Sequence, residues 1–485
     1  MLDHTLRLAI PVVCILVLAC IIAAYAGLIG MPSWEGDEYY QAAFHRDLGA
    51  DYWLSHHIFG KSPRPISELI LVAYFAVVNH QRQPFSSSFV GILWVLLIAS
   101  SVASMRLVPS STLPYRVLLA LSLITMFFVG HGVFELFFWP VGAAAYLTTL
   151  AATTFAFVLL LDRRTQTQSG PIVESACLVV AAACSEAGAM FILVLSTLRL
   201  SAMLRRAGAW SSKAWKEHFR FSKVAIWSAP LAMSLFSIYH VFLYRVGDIE
   251  FSSDKPYLHL PFTTLLVAIP QFMGEFASLS TQISVADILI GLLVKALFFL
   301  GFRWCWQKAD RKEKPVSGLV VFALALLAGA YQMIVAAYYQ FGFLCCERHD
   351  TLRQCWFMLA LASLAVWSAR FSVRNQLVYR QLDWLAPIPL VLAALIPFAA
   401  RLPDLVHDYG LYPRAMSAQL ETWQSGLATD VSTMKFHPSP NGKIIRDFGL
   451  PPGHYVLATN LPWEIRGVML FFHKQSMDCH CEECE

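Results

Sequence analysis

The sequence carries little charge. Lys, Arg, Asp and Glu make up 14% of its 485 residues, whereas charged residues form about a quarter of an ordinary soluble domain. It contains no P-loop, dinucleotide-binding fingerprint or nucleophile elbow, so ATP-driven transport has no support. The small net charge of +4 gives no indication of nucleic-acid binding.

Long apolar runs are abundant instead. Roughly 18 apolar residues in a helix cross the hydrocarbon core of a membrane. The sequence therefore predicts an all-α polytopic membrane protein with about 11–13 transmembrane helices. The first run is long and others follow it, so we interpret it as a retained helix and not a cleaved signal peptide. The candidate spans are 8–31, 66–80, 88–105, 113–131, 141–161, 172–185, 187–202, 224–245, 284–302, 316–339, 353–370 and 384–402.

The charge distribution predicts a topology. Cytoplasmic loops are enriched in Lys and Arg, which places the N-terminus and four basic segments inside: 163–164, 199–223, 303–314 and 370–380. The opposite face then receives 32–65, 246–260, 340–352 and 403–485. For Arg163 and Arg164 to lie inside, either one of the runs 66–80 and 113–131 is re-entrant or a boundary differs.

The chain thus divides into two predicted parts. Residues 1–402 form a transmembrane domain with a candidate catalytic outer loop, 32–65. Residues 403–485 form a small extramembrane segment of mixed composition. Within the first part, segment 172–202 is typical of a tight helical hairpin, with residues 185–188 at its outer turn.

Two adjacent carboxylates, Asp37 and Glu38, follow the first span. A carboxylate that is partly desolvated at a membrane surface has a raised pKa and is a better general base. A solvated acidic loop explains the pair equally well. Further along the same loop, Lys61 and Arg64 could hold a phosphate at the membrane surface, or could anchor the next helix by snorkelling.

Two acids interrupt apolar sequence, Glu135 and Glu186. An unpaired charge in lipid costs about 2.5–3.5 kcal/mol on insertion scales, so such residues are candidates for function. The alternative for each is a hydrogen bond between helices. Trp139 and Tyr146 follow Glu135 and are either part of a binding site or of an aromatic belt.

A last polar group, Glu347-Arg348-His349-Asp350, lies between two spans. Arg348 is a candidate for stabilising a phosphate leaving group and His349 for binding substrate, although a short charged turn explains the group slightly better from the sequence alone. The tail Cys479-His480-Cys481-Glu482-Glu483-Cys484 is too cramped for a zinc knuckle. A disulfide is the better interpretation if the tail is outside, with Cys345 and Cys346 as candidate partners.

The order of these motifs resembles the GT-C superfamily of membrane glycosyltransferases. The Asp37-Glu38 pair is similar to the Asp-Glu motif of protein O-mannosyltransferases and lipid A aminoarabinose transferases. The ordered set resembles more closely a bacterial family near the O-antigen glucosyltransferases of serotype-converting phages. Its elements are Asp37 to Tyr40, Gly60 to Ser67, Glu135 to Tyr146 and Ser185 to Gly188. Many relatives have two aspartates at the first motif and Gly-Arg where this chain has Gly60-Lys61.

The resemblance implies a GT-C-like fold and sugar transfer in the cell envelope. The donor would be a polyprenyl-phosphate-linked sugar, and the acceptor a glycan or lipid such as O-antigen or lipopolysaccharide at the periplasmic face of the bacterial plasma membrane. Asp37 would be the general base, and Glu38 would position the acceptor or tune Asp37. Arg348, with Lys61 or Arg64, would stabilise the departing polyprenyl phosphate. No metal ligands are assigned, and the outer carboxylates are compatible with a divalent metal.

Two other classes of function remain open. A transporter or flippase of lipid-linked glycans would show inverted repeats and broken helices in matching halves, and no such symmetry is evident in the sequence. A non-catalytic membrane scaffold would leave Asp37, Glu135 and Glu186 without an explanation.

Overall fold

The computed structural model describes most of the chain. The described residues are 2–31, 34, 36–102, 113–128, 130, 132–161, 170–206, 221–245, 260–279, 283–309, 318–344, 346–369, 385–429, 431–446, 450–458 and 461–479. All or part of each predicted cytoplasmic loop lies outside these ranges, as do most of the predicted outer segment 246–260 and the end of the cysteine-rich tail.

Helices dominate the described ranges, as the long apolar runs predict. In chain order they are α1 (Leu2–Ala26), α2 (Gly36–His56), α3 (Pro65–Gln81), α4 (Ser86–Val102), α5 (Leu113–Phe127), α6 (Pro140–Leu161), α7 (Gly170–Cys184), α8 (Glu186–Arg206), α9 (Phe221–Arg245), α10 (Pro261–Ala277), α11 (Val285–Ala309), α12 (Gly318–Phe341), α13 (Glu347–Ala369), α14 (Ile388–Leu427) and α15 (Trp463–Phe471). The predicted hairpin 172–202 is confirmed as α7 and α8, joined at Ser185.

Seven of the described helices are long and apolar enough to cross a membrane. A helix of 25 residues such as α11 measures about 37 Å, more than the roughly 30 Å of a hydrocarbon core. The seven segments are Ala9–Gly30, Pro140–Leu161, Ile226–Leu243, Val285–Ala309, Gly318–Phe341, Glu347–Ala369 and Ile388–Leu427. The chain is therefore a multi-pass helical membrane protein. The larger predicted number stays a prediction, because α4, α5 and α7 are apolar but shorter.

The centre of the bundle is formed by α12 and α13, which pack against each other and against α8 and α11. Trp356 on α13 and Phe191 on α8 are fully buried with ring centroids 5.6 Å apart. Gly329 on α12 allows this contact, since a β-carbon there would stand 3.1 Å from atoms of both residues. Such close approach through a small residue is how membrane helices gain van der Waals packing.

The C-terminal part is a small α/β unit. Three short strands, β1 (Thr433–Phe436), β2 (Gly453–Val456) and β3 (Ser476–Cys479), form a sheet in the order β1-β3-β2. The pairing of β1 with β3 is parallel and that of β2 with β3 is antiparallel. Helix α14 leads into this unit without a break over 40 residues, about 60 Å. The boundary predicted after residue 402 falls inside α14.

This unit covers the loop predicted to be catalytic. Helix α15 packs on α2, and Gly36 permits the approach, because a β-carbon there would lie 2.4 Å from the β-carbon of Glu464. Beside that contact, Trp34 and Trp423 have ring centroids 5.3 Å apart, and Phe471 lies 5.4 Å from both. Offset and edge-on aromatic pairs of this kind contribute about 0.5–1.5 kcal/mol each beyond area burial. The start of α2 is thereby held in place.

Candidate active site

Asp37 lies in the first turn of α2 and is partly exposed. Burial raises its pKa above the usual value near 3.8. The positive charge of Arg348 opposes this shift, the negative charges of Glu464 and Glu135 add to it, and a hydrogen bond from Gln41 counteracts it. Asp37 is therefore a carboxylate within electrostatic range of three other chain segments, which carry Glu135, Arg348 and Glu464, and its pKa is raised as its position in the sequence predicts.

Arg348 and Glu135 form an ion pair next to Asp37. The Nη1 atom of Arg348 donates to Oε2 of Glu135 at 2.8 Å, and the backbone N–H of Arg348 donates to the same oxygen at 3.2 Å. The guanidinium carbon lies 5.3 Å from the ring centroid of Trp139 and 5.8 Å from that of Tyr146, within cation–π range. Glu135 is therefore a partner of the predicted phosphate-binding arginine.

Arg64 and Glu186 form a second ion pair, of bidentate geometry. Nε and Nη2 of Arg64 donate to Oε2 and Oε1 of Glu186, both at 2.8 Å. Only 14% of the Arg64 side chain and 12% of the Glu186 side chain are exposed. Ser185 caps α8, since its hydroxyl accepts the N–H of Gly188 at 3.0 Å, and this fixes Glu186 in the first helical turn.

Tyr146 joins the two ion pairs. Its hydroxyl accepts a hydrogen bond from Nη2 of Arg64 at 3.3 Å and is 2.8 Å from Nε2 of His349. Its ring lies beneath both guanidinium groups, at 5.5 Å from Arg64 and 5.8 Å from Arg348. The tyrosine sits in a π-helical turn, Ala143–Leu147, within α6. Such turns are frequent at functional sites.

Seven residues singled out in the sequence thus meet in one connected group, which we call the Tyr146 network: Arg64, Glu135, Trp139, Tyr146, Glu186, Arg348 and His349. They come from four separate segments, and Asp37 adds a fifth through its electrostatic contact with Arg348 and Glu135. The order of the motifs predicted a common location, and the described geometry agrees with it.

Two other predicted site residues, Glu38 and Lys61, have no described contact with the Tyr146 network. Glu38 is fully buried and lies beside Tyr74 on α3, because consecutive helical residues point about 100° apart and Glu38 cannot face where Asp37 faces. The roles predicted for Glu38 remain predictions. The backbone of Lys61 belongs to a π-helical turn, His57–Lys61, but its side chain lies outside what the structure describes.

Other residues of the site were missed in the sequence. Glu68, in the first turn of α3, accepts a hydrogen bond from Nε1 of Trp53 at 3.0 Å and lies 3.4 Å from Nδ1 of His57. An acid just after Pro65 in an otherwise apolar helix was the available signal. Glu464 had no comparable signal, because it is more than 400 residues from Asp37 and only the fold brings the two together.

A buried polar cluster supports the start of α13 from within the bundle. Arg353 donates from Nε and Nη2 to the two carboxylate oxygens of Glu275, at 2.7 and 3.0 Å, and also to Asp350. Lys295 donates to backbone carbonyls at the end of α10, among them Ser278 at 2.6 Å. Buried charges are stable only when paired and hydrogen-bonded. This cluster therefore fixes the helix that carries Arg348 and His349.

The remaining predicted features are a possible metal site and a disulfide of the cysteine-rich tail. Among the described residues, no three His, Cys, Asp or Glu side chains are grouped so that they could hold a metal ion. Cys346 is disulfide-bonded. Cys479, the first cysteine of the tail, is free and buried, so the predicted disulfide does not form there, and for Cys481 and Cys484 it stays a prediction.

Comparisons with protein-family models, curated proteins and solved structures give no match to this chain.

Proposed function

We propose that this protein is a GT-C-type glycosyltransferase that moves a sugar from a polyprenyl-phosphate donor to a cell-envelope glycan or lipid. The observation that carries the proposal is the Tyr146 network beside Asp37. This arrangement combines a carboxylate of elevated pKa with two arginines whose guanidinium groups lie over the ring of Tyr146.

The proposed reaction is a displacement at the anomeric carbon. Asp37 accepts the proton of the acceptor hydroxyl as that oxygen attacks, and the bond from the anomeric carbon to the phosphate oxygen breaks. The departing polyprenyl phosphate takes up the bonding electrons. A general base contributes roughly 100- to 10,000-fold to the rate, and a donor that stabilises developing negative charge contributes roughly 100- to 1,000-fold.

Arg64 and Arg348 have N–H donors left to stabilise the negative charge of the departing phosphate. A guanidinium has five N–H donors in a planar fork, and each arginine donates only some of them to its carboxylate partner. The carboxylates hold the arginines in fixed orientations before a substrate binds. Preorganised donors of this kind cost no reorganisation when charge develops.

Helix direction supports a periplasmic location for the chemistry. Helices α6, α8 and α13 begin at or close to the Tyr146 network, and each leads toward a basic segment: 162–169, 207–220 and 370–384. Basic segments are retained in the cytoplasm, so the network would face the periplasm of a bacterial plasma membrane.

The test is reconstitution of the purified protein in proteoliposomes with a radiolabelled polyprenyl-phosphate sugar and a mixture of envelope acceptors. Glycosyl transfer predicts that polyprenyl phosphate is released only when acceptor is present. A flippase would instead move the intact donor across the bilayer without releasing it. Translocation without release would refute the proposal in favour of that alternative.

A further inference from the structure

Three aromatic side chains, which we call the aromatic strip, lie on the face of α2 that carries Asp37. The strip consists of Tyr40 and Phe44, whose ring centroids are 5.1 Å apart, and Trp463 at the start of α15, whose ring meets that of Tyr40 edge-on at 6.4 Å. Tyr40 and Phe44 follow Asp37 by three and seven residues, so all three side chains leave α2 on one face. The residues of the opposite face are buried: Glu38, Tyr39, Ala42 and Ala43.

The rings of the strip are accessible and held in place. Trp463 is 46% exposed, and Tyr40 and Phe44 are half-buried. Gly467 on α15 lets the two helices approach closely, since a β-carbon there would lie 2.8 Å from the β-carbon of Tyr40. A ligand that binds to a preorganised surface of this kind does so at a lower cost in conformational entropy.

Carboxylate and amide groups border the strip. Glu464 follows Trp463 in the chain, and its negative charge acts on Asp37. The side chain of Gln41 is hydrogen-bonded to Asp37 and leaves α2 on the same face. Hydrogen-bonding oxygens and an amide therefore stand beside exposed aromatic rings, at the position of the proposed base.

The charge around the strip does not suit an anionic lipid surface. Helix α2 has four acidic residues and one arginine, and α15 has one of each. Arg46, the arginine of α2, is paired with Asp47 at 2.7 Å, and Arg348, which acts on Asp37 from α13, is paired with Glu135. Helices that lie on membranes instead carry many Lys and Arg residues on their polar face. Neither α2 nor α15 is among the seven helices that are long and apolar enough to cross a membrane.

A sugar ring combines the properties that this surface would recognise. Its C–H groups carry partial positive charge and can pack on the negative face of an aromatic ring. Its hydroxyl groups donate hydrogen bonds to carboxylate and amide oxygens, and they accept one from an amide N–H. It is uncharged, so the excess of acidic residues does not repel it.

We propose that the aromatic strip is the acceptor site and that the acceptor is a glycan, whose sugar rings pack on Tyr40, Phe44 and Trp463. Glu464 and Gln41 hydrogen-bond to its hydroxyl groups and bring one of them to Asp37. The role as acceptor site rests on the proposed glycosyl transfer, whereas glycan binding can be measured without any transfer.

The first experiment measures binding to the full-length protein in neutral detergent by native mass spectrometry. The probes are maltotriose, cellotriose, chitotriose and the oligosaccharide released from lipopolysaccharide by mild acid, each titrated alone into the millimolar range. Phosphatidylglycerol is titrated in a parallel arm. The variants are Trp463→Ala, Trp463→Tyr, which keeps an aromatic ring, and the control Tyr52→Ala. Tyr52 is a matched control because it is on α2 and 47% exposed, but lies beyond the interruption of the helix at Gly49.

We expect at least one of the four oligosaccharides to bind saturably to the unaltered protein. Trp463→Ala should weaken this binding by roughly tenfold or more, since loss of an aromatic anchor at a binding site commonly costs that factor. Trp463→Tyr should retain most of the affinity and Tyr52→Ala all of it, with unchanged thermal unfolding midpoints. The proposal is overturned if none of the four binds, or if Tyr52→Ala weakens binding as much as Trp463→Ala. Reduced phosphatidylglycerol retention by Trp463→Ala with unchanged glycan binding would show a lipid contact and would also overturn it.

The transfer assay separates this proposal from the proposed function. Trp463→Ala should raise the KM for the acceptor and leave kcat and the KM for the donor unchanged, because it removes binding that is equal in the ground state and the transition state. Glycan binding that depends on Trp463, in a protein that transfers no sugar, would refute the proposed function alone. Transfer with an unchanged acceptor KM in Trp463→Ala would overturn the acceptor site alone.

Discussion

The bidentate pair between Arg64 and Glu186 gives the sharpest prediction about the Tyr146 network. Replacement Glu186→Gln leaves the guanidinium of Arg64 without its counter-charge in a place where only 14% of that side chain is exposed. Breaking one side of a buried ion pair costs about 3–5 kcal/mol, because the remaining charge stays desolvated. We expect a clear fall in the midpoint of thermal unfolding in detergent. A thiol-reactive dye measures this midpoint by reacting with buried cysteines as they become exposed.

The chain offers a matched control at the other end of the same hairpin. Arg199 pairs with Glu174 at 2.7 Å, with 12% and 14% of these side chains exposed. Glu174→Gln should therefore destabilise the protein in the same way. Only Glu186→Gln should also impair release of polyprenyl phosphate, because Arg199 lies outside the Tyr146 network. An equal loss of activity in both variants would mean that the loss reflects stability alone.

A double replacement separates stability from activity. Arg64→Leu/Glu186→Leu removes both charges, and substitution of a whole buried pair by apolar residues is often neutral or stabilising. We expect this variant to recover most of the stability lost in Glu186→Gln while it stays inactive. If Glu186→Gln were as stable as the unaltered protein, Arg64 and Glu186 would not behave as a desolvated ion pair.

Three further predictions concern single positions. Asp37 must be deprotonated to act as a base, and burial raises its pKa, so activity should fall on acidification at a pH above the ordinary aspartate range. Glu464→Gln removes a negative charge that helps to raise the pKa of Asp37. This variant should therefore move the acidic limb of the pH–rate profile to lower pH. Tyr146→Phe should slow transfer and destabilise the protein by about 1.5–3 kcal/mol, the usual value of a hydrogen bond to a charged group, as measured by rate and thermal midpoint. Gly132→Ala should destabilise by more than about 1 kcal/mol, because φ at this residue is +80° and a β-carbon would stand 2.1 Å from the side chain of Glu347; an unchanged unfolding midpoint would contradict that.

The residues of the site could be predicted from the sequence, but the ion pairs between them could not. Glu135 and Glu186 were recognisable because acids are rare in apolar runs. That each is the counter-ion of an arginine, Arg348 and Arg64, depends on contacts across 213 and 122 residues. No local pattern encodes such contacts, so the arginines and the acids were interpreted as separate binding groups.

The C-terminal part was the least predictable. The span predicted to end at residue 402 continues through Pro403 and Pro413 as one helix to Leu427. A proline removes one backbone hydrogen bond and strains the preceding turn, but neighbouring helices can satisfy the freed groups in a membrane bundle. No local pattern in the sequence indicates that α15 covers the start of α2 and brings Glu464 to Asp37.

Single-turnover transfer by Asp37→Asn measures whether Asp37 is the base of the proposed glycosyl-transfer reaction. Asp51→Asn is the matched control, since Asp51 lies on the same helix with an exposed side chain. We predict that Asp37→Asn folds normally and loses at least about 100-fold in rate, while Asp51→Asn keeps full activity. Normal single-turnover transfer by Asp37→Asn would contradict it.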